Sequence, residues 1–163
     1  MEKTTEQLAQ RIEEILRARG WTIACAESCT GGLVTSRLTD IPGSSDVVKG
    51  SVVSYTNAVK HGVLGVRRET LARYGAVSPQ TAAEMADGVR RVIGADIAVS
   101  ITGNAGPGAS EGKPVGLVDF GVSTAGGTQT FSGHFTGTRK EIKAAAAKKI
   151  LECLLETLQR ADA

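Results

Sequence analysis

The chain has 163 residues, 41% of them hydrophobic, and 19 Lys and Arg against 17 Asp and Glu leave a net charge of +2. That length supports one compact domain over residues 1–163 with a real core, and leaves no room for two of ordinary size. The basic residues are scattered in pairs such as Arg67-Arg68 and Lys148-Lys149, which excludes a nucleic-acid stripe, and no apolar run approaches the ~18 residues needed to cross a bilayer.

The elements follow from periodicity and punctuation. Leu8, Ile12, Ile15 and Leu16 recur at helical spacing over residues 4–18, and Gly20 stops that helix. A strand over 22–26 leads through a polar turn to a helix over 32–39, and Ile41-Pro42-Gly43-Ser44-Ser45 is a turn. The β-branched run 47–55 reads as a second strand, after which Asn57 caps a short helix over 58–62. Ser78-Pro79 is an N-cap followed by proline at the first helical position, and Ala82, Met85, Ala86, Val89, Val92 and Ile93 form the apolar stripe of the helix that Gly94 ends.

Residues 96–101 have little alternation, as befits a central strand covered on both faces. A glycine-rich loop over 102–114 precedes a strand over 115–122. A hairpin at Ala125-Gly126-Gly127 then leads to a polar edge strand over 128–135. The last helix covers 138–159, with Ile142, Ala146, Ile150, Cys153, Leu154 and Leu158 on its buried face. Strands interleaved with helices predict an α/β fold, a three-layer α/β/α sandwich with a mixed, mostly parallel sheet.

Three segments carry possible chemistry. Ala26-Glu27-Ser28-Cys29-Thr30-Gly31-Gly32 places a serine between a strand and a helix start, where backbone amides can hold an oxyanion, so Ser28 is a candidate nucleophile. The same hydroxyls and glycines can equally serve only to cap the helix. Lys60, in the first turn of the helix that Asn57 caps, faces the positive end of the dipole, which favours the neutral amine that could deprotonate serine. Tyr55 ends a strand that shares a carboxyl edge with Ser28 if the two strands are parallel neighbours, and could relay a proton; packing and solvation are the plainer roles for this pair. Thr102-Gly103-Asn104-Ala105-Gly106-Pro107-Gly108-Ala109-Ser110 follows a buried strand and can present amides to an anion, or be a wide surface loop. Arg139 and Lys143 open the last helix against its dipole, which a bound phosphate or a capped, self-paired turn Thr138-Arg139-Lys140-Glu141 would explain.

Cys29 is a second possible nucleophile. Cys25 and Cys153 read as core thiols, and the three cysteines with His61 and His134 fit no metal spacing, so no metal or cofactor is expected. No signal core precedes the first helix, and the chain reads as cytoplasmic, without membrane contact.

Taken in order, these motifs resemble the CinA C-terminal domain family, the stand-alone nicotinamide-nucleotide amidases, over essentially the whole chain. The resemblance rests on residues 26–32, Ser54-Tyr55-Thr56-Asn57 with Lys60, Leu64-Gly65-Val66, Gly75-Ala76-Val77-Ser78, Thr102-Gly103 with Ala105-Gly106-Pro107, and Lys113-Pro114-Val115-Gly116. It implies a five-stranded sheet, a homo-oligomer, and hydrolysis of the carboxamide of nicotinamide mononucleotide to nicotinic acid mononucleotide and ammonia, in pyridine-nucleotide recycling. The family's catalytic serine, tyrosine and lysine carry over to Ser28, Tyr55 and Lys60, its loop threonine to Thr102 and its late arginine to Arg139.

In that reading no metal is required. Backbone amides around Thr30 and Gly31 hold the oxyanion, Gly32 is substrate-binding with them, and the 102–110 loop, through Thr102, Gly103, Ala105, Gly106 and Ser110, receives the ribose phosphate together with Arg139. Three positions depart from the family pattern: Asn104 stands for an apolar residue, Thr138 for an acidic one, and Lys143 for an arginine that it cannot match in bidentate phosphate binding. The larger members add an N-terminal nucleotide-processing domain; starting at its own first helix, this chain is expected to have amidase chemistry only. A non-catalytic nucleotide or phosphate sensor, or an adaptor in a competence or DNA-damage setting, would use the same loops without turnover.

Overall fold

The structure, a computed structural model, describes residues 2–161. Helix α1 (Thr5–Arg19) opens on Thr4, whose side chain and Gln7 cap each other reciprocally, and closes on Gly20. Strand β1 (Ile23–Glu27), helix α2 (Leu33–Thr39), strand β2 (Val48–Val53) and helix α3 (Asn57–Gly62) follow. Helix α4 (Arg68–Tyr74) was not anticipated: it is short and polar, with only Thr70 buried, so it carries no apolar stripe to read. Helix α5 (Pro79–Ile93) has the expected Ser78 cap, Pro79 start and Gly94 stop. Strands β3 (Ile97–Gly103), β4 (Leu117–Thr124) and β5 (Gly127–His134) lead to helix α6 (Arg139–Ala161).

The strands form one five-stranded sheet in the order β2-β1-β3-β4-β5. β1 pairs parallel with both β2 and β3, while β4 is antiparallel to β3 and β5. Only β4 therefore runs against the rest. The parallel character belongs to one half of the sheet, because the tight hairpin at 125–127 forces antiparallel pairing in the other. β3 is central and buried, and β5 is the polar edge, both as the sequence indicates.

Alternation along β1 and β3 divides the core. Ile23, Cys25, Ile97, Val99 and Ile101 face α1, α2 and α6, whereas Ala24, Ala26 and Ala98 face Met85 and Val89 of α5. The α5 face of the sheet is lined by small residues: Ser100 donates to Ala82 O at 2.5 Å, and a Cβ on Gly121 would lie 2.8 Å from that same carbonyl oxygen. The helix backbone thus rests almost directly on the strands. On its outer side a Cβ on Gly88 would come within 1.9 Å of Leu64 O, so glycine is required where the segment after α3 crosses the helix. All three cysteines are free and buried. Among the described residues no helix is long and apolar enough to cross a membrane.

This topology places the site. The chain leaves β1 through α2 to β2 on one side and reaches β3 through α5 on the other. The carboxyl end of β1 is therefore the point where the connections diverge, the usual ligand position in an open α/β sheet.

Candidate active site

Ser28 follows the last residue of β1, where its amide donates to Ile101 O of β3 at 3.0 Å while Ser54 N donates to Glu27 O at 2.7 Å. Neighbouring strands thus hold the residue from both sides. The turn beyond it reverses through Gly31 and Gly32 at φ of 61° and 106°, left-handed values that favour glycine. Underneath lies Glu27, fully buried, whose carboxylate accepts from the amides of Gly32 at 3.2 Å, Val34 at 3.0 Å and Thr35 at 2.9 Å. The hydroxyls of Thr30 and Thr35 each donate to it at 2.6 Å. A carboxylate below the first turn of α2 satisfies orphan amides and complements the dipole.

This settles which donors are spent. The Gly31 amide donates to Ser28 O at 3.0 Å, and the Thr30 hydroxyl and Gly32 amide belong to Glu27. Among the described residues the backbone amides of Cys29 and Thr30 make no hydrogen bond to another residue.

Lys60 is 1% exposed, and its Nζ donates to Ser28 Oγ at 2.9 Å and to Ser54 O at 2.7 Å. No carboxylate lies within ion-pair distance of it among the described residues. Burial pushes its pKa down, against the opposing pull of the Cys29 sulfur and Glu111. The helix-dipole argument needs correction here: Thr56, not Asn57, is the cap of α3, and Lys60 falls beyond its first three residues. The amine is driven towards neutrality by loss of solvent. Burial also raises the Cys29 thiol to about 12, which keeps it protonated near neutral pH.

Ser28, Lys60, Tyr55, Thr102, Gly103, Ala105, Ser110 and Arg139 line one cavity of about 180 Å³, together with Cys29, Asn57, Ala76, Val77, Asn104 and Glu111. Thr30, Gly31 and Gly32 lie outside its lining, and Gly106 touches the site through Arg139. β1 and β2 are parallel neighbours as the argument for Tyr55 requires, but the strand stops at Val53 and Tyr55 extends beyond it, 59% exposed. Its hydroxyl accepts from Arg139 Nη2 at 2.7 Å, and among the described residues no hydrogen bond joins it to Ser28 or Lys60. Thr102 donates to Ala76 O at 2.7 Å, tying β3 to the cavity wall.

At the start of α6, Thr138 and Glu141 cap each other, leaving Arg139 to reach Tyr55 and Gly106 O rather than pair with its own turn. Lys143 Nζ would lie 3.7 Å from a Cβ on Gly31, beside the turn that follows Ser28. Two residues were missed from the sequence. Glu27 could have been found, since a carboxylate ending a buried strand just before a helix start is a capping signal. Glu111 could not: it lies in the glycine-rich loop, yet it accepts from Ala76 N at 2.8 Å and Val77 N at 3.1 Å across a separation no local pattern announces. No group of three or more His, Cys, Asp or Glu among the described residues could hold a metal ion.

Comparison with known proteins gives the family and the fold. The family model of the CinA C-terminal domain matches residues 5–158. A protein of Bacillus pumilus described as competence-damage inducible is 48% identical over 152 residues, 93% of this chain but 36% of that protein. The chain thus spans about a third of that relative's length. The nicotinamide-nucleotide amidohydrolase PncC of Enterobacter agglomerans is 47% identical over 156 residues, 94% of this chain and 95% of that one. Among solved structures, a CinA superfamily protein from Klebsiella pneumoniae superposes with a TM-score of 0.93 at 37% identity, covering 97% of this chain and 99% of that one. The competence/damage inducible protein CihA of Agrobacterium tumefaciens gives 0.90 at 42% identity, covering 98% and 99%. The family match over residues 5–158 and the likeness of fold and sequence agree, and the chain belongs to the CinA C-terminal domain family.

Proposed function

We propose that the protein is a nicotinamide-nucleotide amidase that hydrolyses the carboxamide of nicotinamide mononucleotide, releasing ammonia and nicotinic acid mononucleotide through a serine-lysine acyl-enzyme. The observation that carries this reading is the 2.9 Å contact between Ser28 Oγ and the buried, carboxylate-free amine of Lys60. A binding module has no use for a lysine stripped of solvent and aimed at a serine. The full-length likeness to a protein named for this activity supplies the substrate.

In the proposed reaction neutral Lys60 takes the hydroxyl proton as Ser28 Oγ bonds to the amide carbon. The oxyanion lies against the amide of Cys29, which lines the cavity and among the described residues donates to no other residue, where a donor aimed at developing charge contributes most. Lys60 passes its proton to the leaving nitrogen, the C–N bond breaks, and ammonia departs. Water, deprotonated by the same amine, then attacks the ester, restoring Ser28 and giving the carboxylate. Arg139 and Tyr55 form the rim that receives the charged end of the nucleotide. The proposed role in pyridine-nucleotide recycling follows from that product.

The test is incubation with nicotinamide mononucleotide in the presence of chelator, following ammonia and nicotinic acid mononucleotide. Equal release of both, lost in a folded Ser28→Ala variant, is the expected result. A variant that retains wild-type turnover would remove Ser28 from the mechanism, and folded wild type without release would favour the sensor reading.

A further inference from the structure

Glu111 is the one carboxylate among the residues that line the cavity around Ser28. Its backbone is strained into that position: with φ at 57° it is the only non-glycine residue in the left-handed region among the described residues. Its Oε2 accepts from Ala76 N at 2.8 Å and its Oε1 from Val77 N at 3.1 Å. Burial opposes its ionisation, but those amides and Lys113 hold it below the usual carboxylate range, so this wall carries a negative charge near neutral pH. Lys113 Nζ, 3.4 Å from the carboxylate, lies outside the lining of the cavity and donates to the carbonyls of Tyr74 and Val77.

A chain of short contacts ties that charge to the Ser28 end. Ser28 N donates to Ile101 O, the hydroxyl of the next residue, Thr102, donates to Ala76 O, and Ala76 N donates to Glu111. The charge of Glu111 is felt at Lys60, whose protonated form it favours. Arg139 is joined instead to Tyr55 and to Gly106 O. The lining thus holds a negative group coupled to Ser28 and Lys60, and a positive group seated on other partners.

A nicotinamide nucleotide carries a cation of its own, because the ring that bears the carboxamide is a pyridinium. With the amide carbon at Ser28, that ring lies in the same cavity of about 180 Å³, within a Debye length of Glu111. We infer that Glu111 is a specificity-determining residue whose carboxylate favours the cationic pyridinium ring over an uncharged ring that bears the same amide. The inference takes its ligand from the amidase reading and adds to it a means of reading the charge of the ring. Ala76 N and Val77 N need only acceptors, which a neutral side chain could supply; the formal charge is what a cationic ligand uses.

The experiment measures Kd by calorimetry in the Ser28→Ala protein for nicotinamide mononucleotide and for its dihydro form, which keeps the amide, ribose and phosphate on an uncharged ring. The expected result is binding of the pyridinium form about fivefold or more tighter. Adding Glu111→Gln should reduce that preference below about twofold by weakening the pyridinium form alone, whereas Glu111→Asp, which keeps the charge, should retain a preference. In the Ser28→Ala protein the preference should also shrink as sodium chloride is raised, a readout that needs no change at Glu111; the phosphate and Arg139 act on both nucleotides and cancel in the ratio. Equal affinities in the Ser28→Ala protein, a preference indifferent to salt, or equal weakening of both nucleotides by Glu111→Gln would overturn the inference, the last by showing that the side chain only shapes the wall. Wild type that releases no ammonia while the preference is present would overturn the amidase reading and leave this inference standing.

Discussion

The cavity is bounded by two loops built on opposite plans. The turn after β1 is short and saturated: Glu27, fully buried, takes five hydrogen bonds from the residues that follow it, and strands on both sides hold its ends. The β3–β4 loop is long and largely exposed, and is held by a few contacts that reach far along the chain, among them Glu111 to Ala76 and Val77, and Lys113 to the carbonyls of Tyr74 and Val77. A nucleophile must be positioned closely whatever the substrate, whereas recognition of a particular ligand can rest on a segment that adjusts.

The contrast is tested most severely at Lys60. Lys60→Met should reduce kcat by about 10²–10⁴-fold, yet leave the protein as stable or more so, since it removes a buried amine of lowered pKa. The sign follows from linkage: the fold disfavours the protonated amine, so stability rises with pH between the folded pKa and the ordinary 10.5, and methionine abolishes that rise. Wild-type kcat/KM should climb with pH along a limb centred below 10.5, as a neutral base requires. A Tm that falls sharply in the methionine variant would mean that the lysine is structural.

Glu27→Ala comes next. It strands three amides and two hydroxyls in the core, and should cost about 3–5 kcal/mol of stability by chemical denaturation, with activity lost alongside. Glu111→Ala should have the smallest effect, within about 1 kcal/mol in stability, with KM raised about three- to tenfold and kcat nearly unchanged. Burial works against ionisation of Glu111, but the Ala76 and Val77 amides and Lys113 outweigh it and hold the group below the usual carboxylate range. Because Glu111 also favours the charged form of Lys60, its removal should move the rising limb of the pH profile to lower pH. If the two carboxylates gave equal losses of stability, the division between a fixed turn and an adjustable loop would fail.

Legibility in the sequence follows the same division. Ser28, Gly31 and Gly32 announce themselves because a strand, a hydroxyl, glycines and a helix start succeed one another within a few residues, and Ser78-Pro79 was clear for the same reason. For Lys60 the residue is legible and the cause is not: the short stretch suggests a helix dipole, while the amine is buried between Ser28 and Ser54, which follow β1 and β2. Glu111 acts through contacts distant in sequence, which no local periodicity encodes. Helix α4, nearly all exposed, left no hydrophobic signature. The parallel half of the sheet was legible from alternating strands and helices, and the antiparallel half from one glycine-rich hairpin.

The lining of small residues beneath α5 limits how this protein could change. Ala24, Ala26, Ala98, Ser100 and Gly121 bring the helix so close to the strands that their separation is set by backbone against backbone. The Ala76-Val77 wall runs into the start of that helix, so the backbone of the wall cannot move towards Ser28 without displacing the helix. A lineage reshaping the cavity would do so through the β3–β4 loop and the side chains of the rim, and the breadth of ligands open to the fold is then a property of those parts.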